Sequence, residues 1–163
     1  MKMNILLYIY IFLCIPLFGD ANFSSVYTDF SKDCKNDPKI KEGDIPLICK
    51  GPLDYRIYIT YSACYEYLEI QKNNKKIEVF LPEQPLGTSA TRKLEWRLIN
   101  LVPQGLIYRT SILEENPDGG CMKKTKTENL NLRSFQNPAL EKSIPNSLKA
   151  NEKARELLDQ IIK

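Results

Sequence analysis

Three carboxylates, Asp29, Asp54 and Glu95, are the side chains here that suit acid–base chemistry. A pair of carboxyls held about 5 to 10 Å apart, one in an apolar pocket that raises its pKa, cleaves glycosidic bonds. The chain has no histidine, which excludes Ser-His-Asp and Cys-His catalysis, imidazole zinc ligation and an imidazole pH switch. The hydroxyls of Thr88, Ser89 and Thr91 therefore have no evident base, and their surroundings are not Gly-x-Ser-x-Gly. Glu95 alternates with Arg97, and Arg109 follows on the next β segment. Opposite charges at such positions pair across strands, so no residue is assigned a catalytic role. Glu95, Arg97 and Arg109 stand instead as the candidate binding set. The acids Glu114, Glu115 and Asp118 lack the spacing of an EF-hand loop; no metal site and no cofactor is expected.

Four cysteines beyond the N-terminal segment, Cys34, Cys49, Cys64 and Cys121, lack the paired Cys-x-x-Cys spacing of a zinc site. An even number in an exported chain reads as two disulfides. Of three connectivities, Cys34–Cys49 and Cys64–Cys121 are favoured: the first closes a polar loop, the second ties two strand-like segments. Export itself is read from the first residues. Met1-Lys2-Met3-Asn4 precedes an almost wholly apolar run from Ile5 to Phe18, too short to span a bilayer comfortably. Gly19-Asp20-Ala21 supplies small residues before a cut. Residues 1–21 are thus a signal peptide, cleaved after Ala21. Lipidation at Cys14 is the rival, disfavoured by the bulky Ile11-Phe12-Leu13 before it. The net charge of +3 comes from basic residues scattered among acids, which gives no footprint for nucleic acid.

Those side chains need a scaffold, and residues 93–112 give its clearest element. Leu94, Trp96 and Leu98 alternate with Glu95 and Arg97; beyond Pro103-Gln104-Gly105, Leu106, Tyr108, Thr110 and Ile112 alternate with Ile107, Arg109 and Ser111. Side chains two apart share a strand face, so this is a hairpin with one apolar face and an outer charged face, turning at Pro103–Gly105. Trp96 is expected to pack between the sheet and the C-terminal helix.

Residues 23–30 alternate with mixed polarity, as an edge strand does. Residues 31–51, rich in Pro, Gly and charge, read as a loop. Tyr55–Tyr61, Tyr65–Gln71 and Ile77–Leu81 form a meander, with a turn at Lys72-Asn-Asn-Lys-Lys76. The tyrosines fall at both parities, so they do not form one stacking face. Pro82–Arg92 is a loop, 114–120 a turn, 121–127 a short lysine-bearing edge strand, and 128–145 an irregular connection. Ala154, Leu157, Leu158, Ile161 and Ile162 form one helical stripe, predicting a helix over 146–163 capped by Asn146 or Ser147. The fold class is mainly β (α+β): an antiparallel β-sandwich or curled meander of about seven to eight strands with one C-terminal helix packed on it, residues 22–163 forming a single domain.

Phe23-Ser-Ser-Val-Tyr-Thr-Asp-Phe30 followed by Cys34, then Cys49-Lys-Gly-Pro, then Lys93-Leu-Glu-Trp-Arg97, and finally Asn151, Ala154-Arg155 and Leu158-Asp159 resemble a family of small exported bacterial proteins of unknown function. The resemblance implies a β-rich domain in a bacterial cell envelope, and it brings no activity. A non-enzymatic binding or structural module, periplasmic or extracellular, is the expected function. It would act through a sheet face or the loops at 82–92 and 113–120, with an envelope protein or glycan as partner and no membrane span after signal cleavage. The alternatives are a carboxylate-dependent envelope hydrolase and a protein resembling periplasmic lysozyme inhibitors in architecture only.

Overall fold

The computed structural model describes residues 21–43, 45–62, 65–80, 92–137 and 139–163. Among the described residues, ten strands form two antiparallel five-stranded sheets, and a helix covers one of them. The first sheet runs β1 (Phe23–Asp29), β7 (Lys93–Ile99), β8 (Val102–Glu114), β9 (Lys123–Ser134), β10 (Glu141–Pro145) in spatial order. The second is a meander of β2 (Cys34–Asn36), β3 (Leu47–Lys50), β4 (Tyr55–Ser62), β5 (Tyr65–Lys72) and β6 (Lys75–Phe80). A four-residue helix, α1 (Phe30–Asp33), links β1 to β2, and α2 (Ala150–Ile162) closes the chain.

Two cores follow from alternation along the strands. Between the sheets lie Trp96, Leu94, Leu98, Leu106 and Tyr108 from one side and Tyr55, Ile57, Ile59, Leu68 and Ile70 from the other. On the opposite face of the first sheet, Ile107, Leu130 and Leu132 meet Ala150, Ala154, Leu158 and Ile162 of α2. Trp96 therefore packs between the two sheets and not against the helix. It is fully buried, its ring edge-on to Tyr55 with centroids 5.4 Å apart, and its Nε1 donates to Thr28 Oγ1 at 2.9 Å.

The hairpin turns at a different place from the one its Pro-Gln-Gly suggested. Asn100 and Leu101 both have positive φ, 50° and 69°, the pattern of a type I′ turn whose twist suits antiparallel strands, and Ile99 pairs with Val102. Pro103 and Gly105 lie inside β8: Leu98 pairs with Pro103 and Arg97 with Gly105, so Gln104 is the extra residue of a bulge. A bulge is where a strand tolerates proline. Gly105 is required for a second reason. A Cβ there would meet the Arg133 carbonyl at 2.6 Å and Leu158 Cδ1 at 3.1 Å.

Four further readings are corrected. Residues 31–51 are not a plain loop but include α1, β2 and β3, with Cys34 directly opposite Cys49 and disulfide-bonded to it. Residues 128–145 are not irregular, because they hold the second half of β9 and all of β10. Leu130 and Leu132 gave the alternating signal, and Asn131, which obscured it, is buried with its Nδ2 donating to Thr110 Oγ1 at 2.8 Å. The lysine-rich start of β9 belongs to a long inner strand, although β10 pairs only with residues 129–133 and leaves it unflanked on that side. The helix begins at Ala150, without a side-chain cap, after Lys149. Strand β1 does lie at a sheet edge, the turn at Asn73-Asn74 has the positive φ that asparagine tolerates, and the apolar stripe of α2 faces the sheet. Cys121 is disulfide-bonded; Cys64, its expected partner, and the loop at 82–91 lie outside the described residues.

Candidate functional site

The side chains singled out on β7 and β8 lie beneath α2 and are not on an outer solvent face. Helix residues four apart stack along one side. Asn151, Arg155 and Asp159 form such a row, next to the apolar row that packs on the sheet. Asn151 and Asp159 each bond one sheet residue, and Arg155 bonds two. Arg97 Nε and Nη2 donate to the two Asp159 carboxylate oxygens at 2.6 and 2.5 Å. Arg155 Nε and Nη2 donate to Glu95 at 2.6 and 3.1 Å, and Nη2 also to the Tyr27 hydroxyl at 2.8 Å. Arg109 Nη2 donates to Asn151 Oδ1 at 3.0 Å, and its Nη1 lies 3.7 Å from Glu128. Ser25 links two of the rungs, accepting from Arg97 Nη1 at 2.9 Å and donating to Glu95 at 2.5 Å.

Charge-assisted, two-point bonds of this kind are the strong ones. The hydrogen bond from Arg155 to Glu95 holds the guanidinium proton even more firmly than usual. A cleft of about 380 Å³ opens beside the ladder, over Ile107 and Leu130 and between Tyr27, Arg109, Glu128 and Arg155. In its walls Glu95 pairs with Arg155 and Glu128 with Arg109, while Lys93 lies 3.9 Å from Asp29.

Of the carboxylates considered for acid–base chemistry, Asp29 lies diagonally across the β1–β7 pair from Glu95, and Asp54 stands apart from both. Asp29 ends β1, where the Ser31 hydroxyl and backbone N–H bond to its carboxyl and lower its pKa. Asp54 lies in the turn between β3 and β4, on the other sheet. No group of three or more potential metal ligands occurs among the described residues.

A second concavity, which the sequence reading missed, is larger, at about 730 Å³, and sits on the outer face of the second sheet. Its walls carry Lys32, Lys35, Lys50 and Arg56, with Asp33 and Asp54. The signal was present as Cys34-Lys35 and Cys49-Lys50. Once the two cysteines face inward and bond, alternation turns both lysines outward. Lys50 then stands directly opposite Arg56 across the β3–β4 pair. No described helix is long and apolar enough to cross a membrane. Comparison with models of known families, with curated proteins and with solved structures found no match.

Proposed function

We propose that the protein is an exported, non-enzymatic binding module of a bacterial cell envelope. The observation that carries this reading is the way Glu95, the least exposed of the three acids, is held: its two oxygens accept three hydrogen bonds, from Ser25 and Arg155. A carboxylate so held joins helix to sheet and is not poised to exchange a proton with a substrate. Asp29, diagonal to Glu95 across the β1–β7 pair, is bonded to Ser31, and Asp54 lies on the other sheet. Export is supported by the leading apolar run and by the Cys34–Cys49 disulfide, a bond favoured in oxidising compartments. The bacterial envelope rests on the resemblance of residues 23–30, 93–97 and 151–159 to exported bacterial proteins.

The test is sedimentation of the purified protein, residues 22–163, with isolated envelope, alongside an assay for sugars released from peptidoglycan. Co-sedimentation without release is expected. Steady release that Glu95→Gln abolishes would establish the hydrolase instead.

A further inference from the structure

The concavity on the second sheet has the electrostatics of an anion receptor. Lys32 comes from α1, Lys35 from β2, Lys50 from β3 and Arg56 from β4, and all four are exposed. Among the described residues, none of the four forms an ion pair. Several cations elsewhere are matched: Lys76 with Glu69, Arg92 with Glu66, Arg97 with Asp159, Arg155 with Glu95. Like charges directly across a strand pair repel, yet Lys50 faces Arg56. Of the two acids in the wall, Asp33 already accepts the Asp29 backbone N–H at 2.7 Å.

The frame is also rigid. The disulfide fixes β2 to β3, and the Asn73 N–H donates to the Asp54 carbonyl at 3.1 Å, tying the β5–β6 turn to the β3–β4 turn. A volume of about 730 Å³ falls in the range of small-ligand sites, about 300 to 1,000 Å³.

We propose that this concavity binds a small ligand bearing several tetrahedral oxyanions, phosphate or sulfate groups, between Lys35, Lys50 and Arg56. The proposal rests on the reading of the protein as a binding module and names the ligand class of one surface. A tetrahedral oxyanion offers three or more acceptor oxygens, matching the Arg56 fork and separate lysine ammoniums. Several such groups spread over the site would offset the repulsion between Lys50 and Arg56.

Titration calorimetry at low salt with sodium tripolyphosphate, and separately with a sulfated tetrasaccharide, tests this and distinguishes the two sources. Saturable binding of either at one site per chain is expected, weakened at least about tenfold in Lys50→Gln/Arg56→Gln. Lys123→Gln/Lys126→Gln, on β9 of the other sheet, removes the same charge and should leave affinity within about twofold. The site variant should melt no lower than the parent, because a repulsive pair is gone. Absence of saturable binding to both probes, or equal weakening by both double variants, would overturn the proposal. Envelope co-sedimentation that persists in Lys50→Gln/Arg56→Gln would overturn this site while leaving the binding reading intact.

Discussion

Glu95 is a buried carboxylate in a cleft, which is how many catalytic acids look, and it is held there by Ser25 and Arg155. Its side chain is 7% exposed and that of Arg155 34%, so removing Glu95 strands a half-solvated cation and removing Arg155 strands a buried anion. Breaking a buried pair costs about 3 to 5 kcal/mol, and the exposure of Arg155 reduces this. Glu95→Ala is expected to lose about 2 to 3 kcal/mol by denaturant unfolding. Arg155→Ala should lose a similar amount, and the double variant less than their sum by at least 1 kcal/mol or so, because the second change removes the stranded partner. The alternation of Glu95 with Arg97 was legible in the sequence, and so was their charge. Their partners were not, because Arg155 and Asp159 lie about sixty residues away, with sequence separations of 60 and 62, and only docking of the helix brings them near.

At the scale of elements, the β7–β8 hairpin shows how local signals compete. Pro103 and Gly105 have turn chemistry, but Asn100 and Leu101 take the turn and leave the proline to a bulge. The glycine answers to α2, since Leu158 fills the space a side chain would need. Gly105→Ala is expected to cost about 1 to 3 kcal/mol through overpacking, read as a lower melting temperature. Adding Leu158→Ala should not restore stability, because the Arg133 carbonyl still blocks the Cβ at 2.6 Å. Helix α2 was recoverable from its stripe, but its start was not. Asn146 and Ser147 are good capping types, yet the chain leaves β10 at Pro145 and needs residues 146–149 to cross to the helix.

On the scale of the whole molecule, three layers are stacked: second sheet, first sheet, helix. The first sheet is therefore covered on both faces, which explains why β8 reads as nearly continuous apolar sequence around Leu106-Ile107-Tyr108. The second sheet depends on its disulfide at the β2–β3 edge, where β2 has only three residues. Replacing Cys34 and Cys49 together with serine is expected to cost about 2 to 4 kcal/mol, given a separation of 15 residues. The same variant should weaken tripolyphosphate binding, because Lys35 loses its fixed position beside Lys50. Chemical unfolding and calorimetry on one preparation check both outcomes.

The sequence by itself carried the alternation of β7 and β8, the helical stripe of α2, the inward set Leu94, Trp96 and Leu98, the favoured Cys34–Cys49 pairing and the mainly β class, since all of these follow from alternation and short-range spacing. Tertiary structure decided which layer each face meets. A strand's pattern says that Trp96 and Glu95 point opposite ways. It does not say that Trp96 meets a second sheet while Glu95 meets a helix, because both surfaces are built from residues distant in the chain. For the same reason the charged set Glu95, Arg97 and Arg109 became a clasp between layers. Lys35, Lys50 and Arg56, unremarkable as a sequence, converge only when the disulfide sets the register of β2, β3 and β4.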